Sequence, residues 1–86
     1  FAHNSPDGTT PWTRMERAGY HYTAAGENIA AGQPSVYDVM VAWVSSPGHY
    51  ANIINGSFNH AGFGSASSAN GTIYWVQNFG AGGSCA

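Results

Sequence analysis

Four histidines, four carboxylates, two arginines, five tyrosines and one cysteine hold all of the ionisable side-chain chemistry of this 86-residue chain. Any site must be drawn from that short inventory. His3, Glu27 and His49 stand out because each sits beside glycines or turn residues, not inside a hydrophobic period, and element ends are where functional side chains are presented. Neutral imidazole suits zinc, and a carboxylate next to a metal-bound water can act as a general base. The three lie more than twenty residues apart, so no local metal motif is present and only the fold could bring them together. Plain structural roles stand beside the chemical one: His3 as a turn residue, Glu27 as an acceptor for backbone N–H groups, His49 as a cap after Pro47. His21, between two tyrosines, and His60, in a strand, have weaker claims, while Asp7 and Asp38 are explained by a turn and a helix cap.

The elements that would have to position these residues can be read from caps and periodicity. Thr10-Pro11 supplies an N-cap and a proline at the first helical position, which predicts a two-turn helix over Pro11 to Ala18, ending at Gly19. From Tyr20 to Pro34 the chain is Gly- and Ala-rich without helical period and reads as an irregular loop with one short strand over Glu27 to Ala30. Ser35, with Asp38 three residues on, is a short-armed capping box. Val36, Val39, Met40, Trp43 and Val44 then follow the spacing of an amphipathic helix. Its other side carries Tyr37, Val41 and Ala42 instead of charges, so the helix is expected to be covered on more than one side. Pro47 and Gly48 break it, and His49 to Ile54 can add one further turn. Phe58 to Ser65 and Thr72 to Phe79 flank an Asn70-Gly71 turn and predict a hairpin, with Trp43 and Trp75 assigned to the core. The residues from 81 to 86 read as a Gly-rich flexible tail.

Composition narrows the function classes. Charged residues make up 7% of the chain, hydrophobic residues 43% and the formal net charge is -2, with no lysine. That is one small domain without the basic footprint that nucleic acid or an anionic membrane surface requires. No apolar run is long enough to span a bilayer, and the N-terminus lacks the layout of a signal peptide. A surface covered by Ser, Thr, Asn, Gly and Tyr in place of charge suits an extracellular protein. Cys85 is alone and cannot form an internal bridge. Phe1 in place of Met predicts a segment of a longer chain. Asn55-Gly56-Ser57 and Asn70-Gly71-Thr72 fit N-glycosylation acceptors and, equally, turns.

Gly26-Glu27-Asn28-Ile29-Ala30, Trp43 with Ser46-Pro47-Gly48-His49-Tyr50-Ala51-Asn52-Ile53-Ile54, Gly62-Phe63-Gly64 and Tyr74 through Gly80 follow one another in an order that resembles the CAP superfamily. This group, also called the SCP domain, comprises cysteine-rich secretory proteins, antigen 5 and pathogenesis-related 1 proteins. The Ser-Pro-Gly-His-x-x-Asn-Ile form is similar to its bacterial-type and lower-eukaryotic branch. The resemblance spans His3 to Gly80 and implies a domain over residues 1 to 80, an α+β fold in which a small antiparallel sheet lies between helical layers, and an open cleft. It also implies that His3 and His49 bind a divalent ion, commonly zinc, with Glu27 beside them. Two departures qualify what carries over. The family's second cleft acid falls on Ser46, and the family's N-terminal helix, ahead of the first histidine, is not among these residues, which would leave apolar surface bare and could have held a partner for Cys85.

Three functions follow as expectations. The first is a secreted binding or defence module whose cleft takes zinc weakly through His3 and His49, with Glu27 and Ser46 lining it and a small-molecule, lipid or protein ligand as partner. The second is a metal-dependent hydrolase with Glu27 as general base. The third is sterol or lipid binding along the segment from Tyr20 to Pro34. Fold resemblance alone does not choose among them.

Overall fold

Hydroxyl caps set two of the three helix starts. In the computed structural model, which describes residues 1–82, Thr10 accepts the amide of Thr13 ahead of α1 (Pro11–Arg17). Ser35 accepts that of Asp38 ahead of α2 (Val36–Val44). The third helix, α3 (Pro47–Ile53), begins on Pro47 after an extended Ser46, as the fixed φ of a first-turn proline favours. The three strands, β1 (Ala24–Ala31), β2 (His60–Ser67) and β3 (Ile73–Ala81), form an antiparallel sheet in the order β1-β3-β2.

Register decides what each sheet face carries, because residues paired across an antiparallel ladder project to the same side. Glu27 pairs with Asn78 and Ile29 with Val76, so these four share one face. Asn28 pairs with Gln77 and Gly26 with Phe79 on the opposite face. That second face is covered by α2 and α3: Trp43 donates its indole N–H to the carbonyl of Ile29 at 3.2 Å. A Cβ at Gly26 would stand 3.0 Å from the Phe58 ring, so any larger residue would require that ring to give way. The first face receives α1 and the chain that follows it, with the Tyr20 ring lying where a Cβ on Gly80 would be. The result is an α+β fold with helices on both sides of a small sheet.

The core is small and half polar. Met15, Val39, Trp43 and Phe79 are its buried hydrophobic side chains, while Glu27, Asn28 and Gln77 are buried polar ones. Asn28, 0% exposed, donates to the carbonyl of His49 at 3.1 Å and to Gln77 Oε1 at 3.2 Å. It accepts from Asn52 at 2.9 Å, and Asn52 also donates to the carbonyl of Glu27. Three side-chain amides thereby tie α3 to the sheet.

Several sequence expectations need adjustment. The stretch from Tyr20 to Pro34 is mostly an eight-residue strand, because pairing with β3 supplies the order that its own composition lacks. The expected covering of α2 on more than one side is not found: Val39 and Trp43 are buried, whereas Val36, Tyr37, Val41 and Val44 are exposed, since one stripe meets β1 and the rest faces away from the sheet. In α1, Met15 is buried but Trp12 is exposed. The hairpin lies one to two residues further along than expected, and Phe58 turns aside to stack on Phe79 at 5.7 Å between ring centroids. Trp75 is half-buried, its indole N–H on the carbonyl of Gln33 at 2.9 Å. Ala81 is the last residue of β3; residues 83–86 of the expected tail, Cys85 among them, lie outside the described residues.

Asn28→Ala would leave the buried Gln77 side chain short of a partner and take from the half-buried Asn52 one of its two acceptors. The expected loss is about 1–3 kcal/mol, read as a drop in the urea midpoint, whereas Val36→Ser on the exposed side of α2 should stay within about 0.5 kcal/mol of the parent.

Candidate functional site

The Glu27 side chain is 2% exposed, and both of its oxygens are engaged. His3 Nδ1 donates to Oε1 at 2.8 Å and Arg14 to Oε2 at 3.3 Å. Arg14 also donates to the His3 carbonyl at 2.9 Å, to Ser5 Oγ at 2.7 Å and to the Thr9 carbonyl at 3.2 Å. One guanidinium thus fastens the N-terminal segment to α1 and to the carboxylate on β1. The fork geometry and permanent charge of arginine suit such a hub.

His49 is held separately. Its Nδ1 lies 2.8 Å from Ser46 Oγ, and its carbonyl accepts from Asn28 on the far face of β1. The structure therefore joins His3 to Glu27 and His49 to Ser46. It does not gather the three ionisable candidates into one cluster: among the described residues no group of three or more His, Cys, Asp or Glu is placed to hold a metal ion. His21 is exposed and makes no part of the arrangement. His60 opens β2 and shares a 2.8 Å hydrogen bond with the Tyr20 hydroxyl.

An open groove of about 860 Å³ runs over the Glu27 face of the sheet. Its floor is Ile29, Gly64, Val76 and Tyr74, and His3, Arg14 and Glu27 form a polar end. Phe1 closes on Tyr74 at 5.5 Å between ring centroids. Asn78, across the ladder from Glu27, borders the groove and keeps a buried Oδ1 without a hydrogen-bond partner among the described residues. His49 does not line this groove.

The loop that carries His3 is pinned by its own turn. Ser5 N–H donates to the Thr9 carbonyl at 2.8 Å, Gly8 N–H to the Ser5 carbonyl, and Thr9 N–H to Asp7 Oδ1 at 2.9 Å. Hydrogen bonding from Thr9, through its side chain first and then its backbone, holds the Asp7 carboxyl below its ordinary value of 3.8.

Arg14 escaped the sequence reading as a functional residue, as did the Asn28, Asn52 and Gln77 set as the support of α3. The available signal for Arg14 was scarcity: a carboxylate buried in a chain with two arginines and no lysine has few cations to choose from.

Comparison with known proteins accords with this arrangement of sheet and helices. The CAP family, described as the cysteine-rich secretory protein family, matches residues 1–79, and the chain belongs to it. It is 44% identical over 79 residues to YkwD of Bacillus subtilis (strain 168), covering 92% of this chain and 30% of that protein. Among solved structures it resembles an extracellular protein containing an SCP domain from Bacillus anthracis str. Ames (TM-score 0.76, 32% identity, 93% of this chain and 25% of that one). It also resembles an outer surface protein from Borrelia burgdorferi (TM-score 0.75, 26% identity, 93% of this chain and 59% of that one). The chain therefore spans less than a third of the curated relative it matches. No helix among the described residues is long and apolar enough to cross a membrane.

Two outcomes follow from the geometry. Arg14→Met should cost about 1–3 kcal/mol, less than a fully buried pair would, because the Arg14 side chain is 38% exposed and solvent screens it. The Arg14→Met, Glu27→Gln double variant should lose less than the sum of the two single losses in urea denaturation, the mark of direct coupling. Acidification tests the turn. Because the folded Asp7 carboxyl titrates below its unfolded value, its contribution is fully present above the unfolded pKa and is lost as pH falls through the folded one. The Thr9 amide resonance should shift over that acid range, and Asp7→Asn should abolish the shift.

Proposed function

We propose that this chain is the cleft-bearing part of a secreted CAP-family binding module. In this reading His3 and His49 together hold a divalent metal such as zinc, weakly, and a small-molecule, lipid or protein ligand takes the remaining positions. One observation carries it: each imidazole has its Nδ1 occupied by a neighbour, Glu27 for His3 and Ser46 for His49. A carboxylate only accepts, so His3 carries its proton on Nδ1 and keeps Nε2 as a lone-pair donor. That is the arrangement in which an outer carboxylate fixes the tautomer of a metal-binding histidine and raises its basicity.

Glu27 is then an orienting residue and not a ligand, since neither of its oxygens is free. For the same reason it is poorly suited to be the general base of a hydrolase. Two imidazoles are fewer donors than a structural zinc site uses, which favours an open and weak site. A bound zinc ion would supply Lewis-acid positions for oxygen or nitrogen donors of the ligand. Secretion is supported by the extracellular and outer-surface descriptions of the structural relatives. A lipid or sterol as ligand is favoured by the apolar floor of the groove beside Glu27.

Calorimetric titration of the purified protein with zinc chloride is the test. Saturable binding should weaken by about 10- to 100-fold in Glu27→Gln, through loss of the outer hydrogen bond. It should vanish in the His3→Ala, His49→Ala variant and weaken on acidification, because protons compete for Nε2. Undiminished zinc binding in the double variant would overturn the assignment, and lipid capture that EDTA leaves untouched would put the function in the groove without a metal.

A further inference from the structure

The chain holds two Asn-Gly steps, Asn55-Gly56 and Asn70-Gly71, and the fold treats them differently. Asn-Gly is the pair at which a backbone amide nitrogen most readily attacks the preceding side chain, since glycine puts no Cβ in its way. Gly71 N–H is committed: it donates to the Ser68 carbonyl at 3.0 Å within the turn that joins β2 to β3, and Ser68 N–H closes the same turn on the Thr72 carbonyl at 2.9 Å. The Asn70 side chain is fixed as well, its Oδ1 accepting from Thr72 N–H at 3.1 Å and from the Ser68 hydroxyl. Gly56 N–H, in the turn after α3, donates to no group among the described residues. Asn55 is exposed, as Asn70 is, and its Oδ1 accepts from Ser57 N–H at 2.9 Å as that of Asn70 does from Thr72 N–H, so the two steps differ in the glycine N–H and in the Ser68 hydroxyl.

We propose that Asn55-Gly56 is a self-modification site at which the folded protein converts Asn55 to aspartate and isoaspartate, while Asn70-Gly71 is protected by its turn. The Gly56 nitrogen gives its proton to solvent base and bonds to Asn55 Cγ. The Cγ–Nδ2 bond breaks, and ammonia leaves with a proton from solvent. Water then opens the cyclic imide. Cleavage at Cγ yields aspartate, and cleavage at the main-chain carbonyl yields isoaspartate, with the chain continuing through the side chain. No other co-reactant is needed.

The location gives the conversion a structural consequence. The Asn55 carbonyl accepts from Phe58 N–H at 3.1 Å, and the Phe58 ring stacks on Phe79 and packs against Gly26. A new carboxylate here faces the negative end of α3. An isoaspartyl link also lengthens the main chain inside the span that places Phe58. Conversion therefore acts on the contact that packs the segment following α3 against the sheet.

Incubation of the purified protein in mildly alkaline buffer, followed by peptide mapping with separation of aspartyl and isoaspartyl forms, tests this. In the native protein Asn55 should convert about fivefold faster than Asn70 or more, the factor that one net backbone hydrogen bond is worth. In urea the two rates should converge, and Gly56→Ala should suppress the first without touching the second. Native conversion at Asn70 equal to or faster than at Asn55 would overturn the proposal. So would no conversion at Asn55, or a ratio in urea as large as in the native state, which would assign the preference to sequence and not to fold.

Discussion

Two polar side chains buried next to each other on β1 govern the rest of the structure. Strand geometry sends Glu27 to one face of the sheet and Asn28 to the other, and neither can stay out of water without partners. Glu27 obtains them from His3 and Arg14, Asn28 from Gln77, Asn52 and the backbone of His49. The demand for hydrogen bonds on one face thus places the N-terminal segment and α1, and on the other it places α3. In a domain whose described residues bury only Met15, Val39, Trp43 and Phe79 as large hydrophobic side chains, these polar contacts supply direction that hydrophobic burial alone does not.

The sequence showed most where local chemistry decides the outcome. Thr10 and Ser35 cap the helices that their positions predicted, Asn70-Gly71 turns the hairpin, and the motif order pointed to the family. It showed least where a partner far along the chain decides. Ala24–Ala31 has little strand propensity of its own and is a strand because β3 lies beside it. The apolar residues of α2 fit a helical stripe, yet Val36 and Val44 are exposed, because periodicity marks a face and does not say how much of that face another element reaches. Arg14 could be read as a surface cation until the fold brought Ser5, His3 and Glu27 to its guanidinium.

The same division applies to the candidate site. His3, Glu27 and His49 were legible as residues but not as a geometry, and their pairing is the informative part. Glu27 is absorbed into holding His3, so the carboxylate contributes orientation instead of a free ligand or base. Ser46 stands where the resemblance implies a second acid, and its neutral hydroxyl, which can donate or accept, shares a hydrogen bond with His49 Nδ1. Two imidazoles held through Nδ1, one by an anion and one by an alcohol, are an asymmetric pair.

Charge economy explains why so few residues carry so much. With 7% charged residues and a net charge of -2, the domain has no long-range field with which to steer a ligand, and one of its two arginines is committed to Glu27. In the proposed reading, recognition rests on short-range features: imidazole nitrogens, the groove floor of Ile29, Val76 and Tyr74, and the way the N-terminal segment is held. Arg14 links all of these, because the bonds that keep Glu27 satisfied are the ones that fix Ser5, Thr9 and the backbone of His3. Loss of order in that segment would remove one imidazole and one wall of the groove together, so the stability of the loop and the integrity of the site are a single property of this chain.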